Sequence, residues 1–187
     1  MIVVISGTNR PGSNTLRVAR LCERHLRAAG EEVVLLDLLE LPLELYQPES
    51  YAQKPAAFAR FQGAIDACQG VLTVVPEYNG SFPGALKYFL DMLAFPGSLR
   101  DVPASFVGLA SGRWGALRAV EQLQHVFQYR LALLYPDRTF ISQVTQALDD
   151  AGELLDPALA QRLDEQLQGF ARFARQNAGH QRRRERV

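Results

Sequence analysis

The sequence predicts a three-layer α/β sandwich around a five-stranded parallel sheet in the order 2-1-3-4-5. Three observations predict it. Strand-length apolar runs alternate with amphipathic helical segments along nearly the whole chain. The inner runs, VLTVV and SFVGLA, are almost continuously apolar, as strands covered by helices on both faces must be. The first run also empties into a loop of glycine and hydroxyl residues that opens a helix, a pattern typical of the ligand crevice of a doubly wound sheet.

In chain order, Ile2 to Ile5 and Ser6 read as a buried strand. Gly7 to Thr15 form the loop, and the following helix places Leu16, Ala19, Cys22, Leu26 and Ala29 on one face. Glu32–Leu38 reads as a strand and Pro55–Cys68 as a helix, with Phe58, Phe61, Ile65 and Cys68 as its stripe. Gly70–Pro76 is a strand and Phe82–Leu93 a helix, with Ser81 and Pro83 as start signals. Ala104–Ala110 is a strand and Gly115–Gln128 a helix. A last strand region is expected at Arg130–Tyr135 and Thr139–Val144, split by Pro136-Asp137. The final helix runs from Pro157 to about Gln176, with Leu159, Leu163, Leu167 and Phe170 inward. Five strands alternating with five helices imply right-handed crossovers.

With 187 residues, 48% of them hydrophobic, the chain can bury one substantial core. One domain is expected over residues 1–178, followed by a basic, flexible tail at 179–187. Twenty basic and twenty acidic residues cancel, which argues against a nucleic-acid-binding surface. No apolar run is long enough to span a bilayer, and the first strand leaves no room for a signal peptide. Cys22 and Cys68, without a CxxC arrangement, fit buried reduced thiols of a cytoplasmic protein. His25, His125 and His180 lack metal-ligand spacing and do not accompany a recognisable nucleophile. No metal is expected.

The first loop has the physics of an anion site. Helix N-terminal amides lack intrahelical partners, the macrodipole is positive there, and hydroxyls add donors. Gly7 and Gly12 are spaced as in a triphosphate-binding loop, but Ser13-Asn14 stands where Lys-Ser/Thr is required. Asn9 fills the second glycine position of a dinucleotide fingerprint, so close approach to a pyrophosphate is lost. What fits is one terminal monophosphate, such as a flavin mononucleotide presents. A helix cap by Ser13 or Asn14 explains part of the same loop; Arg10, a fixed forked cation, favours the phosphate.

If a crevice opens on that rim, the loops after the third and fourth strands must be unusual, and both are. Pro76-Glu77-Tyr78-Asn79-Gly80 places polar and aromatic groups where no folding rule asks for them. A ring system needs apolar faces and a few edge hydrogen bonds, which a Tyr beside an Asn-Gly turn can supply. Lys87, in the helix that follows, is read as a solvated position. Ser111-Gly112-Arg113-Trp114-Gly115 sets small residues about the only tryptophan, which would let a flat ring approach the backbone. Trp114 serves equally well as a hydrophobic cap or subunit contact.

In SGTNRPGSNT, PEYNGSFPGALKYFLD and ASGRWGALRA the chain resembles the NADPH-dependent FMN reductase family, which includes bacterial quinone, azo-dye and chromate reductases. The resemblance implies a flavodoxin-like homodimer or homotetramer with FMN near a subunit interface and NADPH or NADH as co-substrate. It implies that Thr8, Arg10, Ser13, Asn14 and Thr15 surround the phosphate. Pro76, Glu77, Tyr78, Asn79 and Gly80 would follow the isoalloxazine edge, and Ser111, Gly112 and Arg113 its other side. Departures from the family pattern are Thr8 for a common serine, Ser13-Asn14-Thr15 for Ser-x-Asn, Tyr88 and Met92 on the third helix, and a fourth loop reduced to Gly-Arg-Trp-Gly. Hydride chemistry would then reside on the flavin, with no acid–base triad, and a small-molecule acceptor would take the electrons. A flavodoxin-like electron carrier without a substrate site is the alternative, and a flavin-free module keeping only the fold is a third reading.

Overall fold

A computed structural model describes residues 1–178; the expected basic tail, 179–187, lies outside the described residues. The sheet consists of β1 (Ile2–Ser6), β2 (Val33–Asp37), β3 (Gly70–Pro76), β4 (Pro103–Leu109) and β5 (Leu133–Ile141). All pairings are parallel, in the order β2-β1-β3-β4-β5. Helices α1 (Asn14–Ala28), α2 (Ala59–Ala67), α3 (Gly84–Met92), α4 (Leu117–Tyr129), the short α5 (Val144–Ala147) and α6 (Pro157–Asn177) complete the fold.

Strand alternation divides the core in two. Ile2 and Val4 of β1 face a cluster with Val18 and Cys22 of α1 and Leu163, Leu167 and Phe170 of α6. Val3 and Ile5 face Phe61 of α2, Phe89 of α3 and Leu123 and Phe127 of α4. Helices therefore cover both faces, which is why β1, β3 and β4 are buried at every position. Because every strand is parallel, the carboxyl ends of β1, β3 and β4 share one rim, and the three unusual loops leave from it.

Several boundaries differ from expectation. The last strand is not split: β5 runs through Pro136-Asp137, with an irregular register between Ala104 and Phe106 of β4. As an edge strand it pairs only with β4, and a bulged edge tolerates a residue without an amide hydrogen. Arg130, expected in the strand, is instead the buried C-cap of α4, its guanidinium donating to the Leu90, Leu93 and Ala94 carbonyls at the end of α3. Val144 begins α5 rather than ending β5. The helix expected from Pro55 starts as a 3-10 turn at Ala56–Phe58, and that expected from Phe82 starts at Gly84. Residues 38–51 form three 3-10 turns, Leu38–Glu40, Leu43–Tyr46 and Pro48–Tyr51, which carry no apolar period. On α1 the buried face is completed by Val18 and Leu21, while Ala29 is exposed.

Among the described residues no helix is long and apolar enough to cross a membrane, and no group of His, Cys, Asp and Glu could hold a metal ion.

Candidate functional site

The loop after β1 is held down before it can present anything. A Cβ on Gly7 would lie 2.6 Å from the Val74 carbonyl, so only glycine lets the chain leave β1 this close to β3. Thr8 is fully buried. Its hydroxyl lies 2.8 Å from the Tyr78 hydroxyl and accepts from the Arg10 amide at 3.3 Å. Gly12 turns the chain at φ +62°, and Ser13 caps α1, its Oγ accepting from the Leu16 amide at 3.2 Å. The Asn14 Oδ1 accepts from Arg17 at 3.1 Å, so this side chain is already engaged within the helix.

These residues open on a crevice of about 270 Å³, lined by residues 10–15, 76–78, 109–111, 144 and 145. Arg10, Ser13 and Thr15 at the start of α1 are among its lining residues, and Glu77 is the acidic residue in that lining. That donor set fits a dianionic monophosphate.

The loop after β3 is a tight hairpin. Tyr78 N donates to the Ser81 carbonyl at 2.8 Å, and Ser81 N to the Tyr78 carbonyl at 3.0 Å. Asn79 and Gly80 between them take φ +52° and +77°, the left-handed pair that an Asn-Gly turn supplies. The Glu77 amide donates to the Leu109 carbonyl at 3.3 Å, fastening the hairpin to β4. One Glu77 carboxylate oxygen accepts from Arg118 of α4, at 3.2 Å from Nε; the other is buried with no partner among the described residues.

A second crevice, about 220 Å³, lies against Glu77, Asn79, Gly80, Trp114 and Arg118, with residues 110–112 as its other wall. Glu77, Ala110 and Ser111 line both crevices, so the anion end and the aromatic end adjoin. An orphaned carboxylate oxygen beside open backbone and an exposed indole fits the polar edge and flat face of a heteroaromatic ring. The residues present therefore fit FMN, phosphate in the first crevice and ring in the second.

The sequence-selected residues fall into three groups. Arg10, Ser13, Asn14, Thr15, Pro76, Glu77, Tyr78 and Ser111 meet at the first crevice, and Asn79, Gly80 and Gly112 at the second. Thr8 lines neither; it lies beneath the first as a latch to Tyr78. Arg113 is exposed and also lines neither. Sequence reasoning missed Val144 and Thr145, which reach the first crevice because Val144 N donates to the Ala110 carbonyl and Gln143 N to that of Gly112. It also missed Arg118 and Gln122 on the exposed face of α4; polar residues one turn apart were the only available signal.

A model of the family "NADPH-dependent FMN reductase" matches residues 1–146. The chain is 32% identical to an NAD(P)H-dependent FMN reductase of Pseudomonas aeruginosa, over 95% of this chain and 97% of that one. It is 29% identical to a quinone reductase of Escherichia coli, over 92% and 94% of the two chains. The solved structure of FerB, a flavoenzyme NAD(P)H:(acceptor) oxidoreductase from Paracoccus denitrificans, superposes with a TM-score of 0.78 at 23% identity, covering 94% of this chain and 97% of that one. A flavodoxin from Pseudomonas aeruginosa reaches 0.57 at 18% identity, over 93% and 96%. The chain belongs to the NADPH-dependent FMN reductase family and is an oxidoreductase that works with FMN and a nicotinamide nucleotide.

Proposed function

We propose that this protein carries electrons from NADPH or NADH, through FMN held on the carboxyl rim of the sheet, to a quinone, azo compound, free flavin or oxidised metal species. When bound, FMN supplies the two-electron chemistry that links the nucleotide to the acceptor. The chain's own work is binding and electrostatics. Arg10, the Ser13 and Thr15 hydroxyls and the first amides of α1 hold the phosphate. The hairpin 77–80 borders the ring edge, and its amides at Asn79 and Gly80 offer donors to charge that develops there. Ser111 and Gly112 leave the other side open for a flat ring to approach. Arg113, exposed and without an ion-pair partner among the described residues, is assigned to the adenylate phosphate of the nucleotide or to the flavin's carbonyl edge.

The observation that carries this reading is the joining of the two crevices through Glu77, Ala110 and Ser111. A reductase is favoured over a flavodoxin-like carrier because the relatives that match nearly the whole chain are named an NAD(P)H-dependent FMN reductase and a quinone reductase.

The same reading includes a homodimer or homotetramer acting in the cytoplasm. The Leu- and Phe-rich side of α3 does not support assembly, since Leu86, Phe89 and Leu90 are consumed in this chain's own core. Support comes instead from Phe95 and Tyr129, exposed and stacked with ring centroids 6.2 Å apart where α3 and α4 end. Cys22 and Cys68, both buried as thiols, suit a reducing compartment.

The test is direct: purified protein is assayed for released flavin, then for NADPH and NADH oxidation with a simple quinone as acceptor. Released FMN and steady turnover are expected. Protein that takes up no FMN, or that holds FMN without oxidising either nucleotide, refutes the reading.

A further inference from the structure

The hairpin beside the second crevice is gripped from outside by α4. Arg118 holds Glu77. One turn later, Gln122 Nε2 donates to the Gly80 carbonyl at 3.1 Å, and its Oε1 accepts from the Ser81 hydroxyl at 2.6 Å. The two side chains differ in what they bring. Gln122 is neutral and braces the turn, whereas Arg118 opposes a carboxylate that is only 11% exposed and whose second oxygen has no hydrogen-bond donor among the described residues. Glu77 lines both crevices, so its negative charge bears on whatever occupies them. A carboxylate there disfavours a ligand that gains negative charge, and a guanidinium paired with it offsets that effect.

We propose that Arg118 is a positioning residue that raises the electron affinity of bound FMN by neutralising the Glu77 carboxylate at the crevice wall. This rests on the FMN reading above. The start of α4 is built to keep Arg118 there. Gly115 and Ala116 enter the helix at φ +56° and +70°, and a Cβ on Gly115 would lie 2.9 Å from the Phe140 Cβ, so the turn is pressed against β5 with little freedom to shift.

The experiment measures the FMN midpoint potential of the wild type, Arg118→Met, Arg118→Lys, Glu77→Gln, the Arg118→Met/Glu77→Gln double variant and Gln122→Ala, each by equilibration with a reference dye. Arg118→Met is expected to weaken binding of reduced relative to oxidised FMN by roughly tenfold, a fall of about 30 mV for a two-electron couple. Glu77→Gln shifts the potential upward, the double variant returns it near the wild-type value, and Arg118→Lys retains it. Gln122→Ala weakens both redox states alike and leaves the potential in place. The proposal is overturned if Arg118→Met moves the potential no further than Gln122→Ala does, or if the double variant stays as low as Arg118→Met alone. Should Arg118→Met fail to fold, an unchanged potential in Glu77→Gln overturns it equally. A wild type that binds no FMN defeats the functional reading and this inference with it. A wild type that binds FMN and oxidises NAD(P)H without the signed response defeats the inference alone.

Discussion

The hydroxyls of Thr8 and Tyr78 lie 2.8 Å apart although the residues are 70 positions apart in the chain, and this bond ties the loop after β1 to the hairpin after β3. Thr8 is fully buried while Tyr78 is partly exposed, so the bond is anchored from below. It fixes the spacing between the loop that opens the first crevice and the hairpin that borders the second.

Removing that bond must loosen the site more than the fold. Thr8→Val keeps the shape but strips the partner of the Tyr78 hydroxyl and the acceptor of the Arg10 amide. A loss of about 1–2 kcal/mol in stability is expected, together with FMN affinity weakened by about tenfold. Tyr78→Phe removes one partner only, with Thr8 still accepting from Arg10, and has the smaller effect. Denaturant titration of the FMN-free protein and fluorescence titration with FMN separate the two losses. An unchanged FMN affinity in Thr8→Val shows that the latch does not set the site.

The first crevice is expected to discriminate by the phosphate. Arg10→Ala therefore lowers affinity for FMN and leaves affinity for riboflavin unaltered, and inorganic phosphate competes with FMN on the wild type. Ser13→Ala does two things: the lost cap costs about 1 kcal/mol in stability, and a phosphate donor disappears. Equal weakening toward FMN and riboflavin in Arg10→Ala contradicts the assignment.

What the sequence made legible follows from where the burial lies. β3 was expected at Gly70–Pro76 and occupies those residues, because a strand buried on both faces is written as an unbroken apolar run. The loops of the rim were legible for the opposite reason, since their glycine and hydroxyl residues interrupt the apolar runs. β5 is one strand where a split is expected at Pro136-Asp137: it pairs with β4 at Leu133 and Leu134 and again from Arg138 to Ile141, and the break signal falls on the register irregularity between them. The 3-10 turns of residues 38–51 have no period to detect. Arg118 and Gln122 were invisible because the periodicity of α4 reports only its buried side, Ala119, Val120, Leu123 and Phe127. Their partners, Glu77, Gly80 and Ser81, become neighbours only once the crossovers are made.

Two glycines of the first loop should respond differently to alanine. At Gly7 the added methyl meets the Val74 carbonyl at 2.6 Å, a backbone atom in the middle of the sheet that cannot step aside. Gly7→Ala is expected to cost about 3 kcal/mol or more, as overpacking against fixed backbone does. At Gly12 the space is open and only the φ of +62° resists, so Gly12→Ala costs about 1 kcal/mol. Thermal or urea unfolding of the two variants, both without FMN, gives the comparison. Equal costs would show that the backbone at Gly7 can relax.

Burial also predicts a pH response. Cys22 is wholly enclosed between α1 and the sheet, and desolvation pushes its thiol from 9.0 up to about 12. Its folded value is raised, so above the ordinary thiol range the unfolded chain releases a proton that the folded chain retains. The associated stability is fully present below pH 9 and is lost progressively as pH climbs towards 12. Cys22→Ala, although less stable overall because it leaves a cavity, is expected to show a flatter decline over that window in urea titrations. The native protein should also resist a thiol reagent at pH 8 and react at Cys22 only when denatured, since thiolate is the reacting species. Labelling of Cys22 at pH 8 without denaturant, at the rate of a small exposed thiol, would show that the packing around α1 opens far more readily than its burial implies.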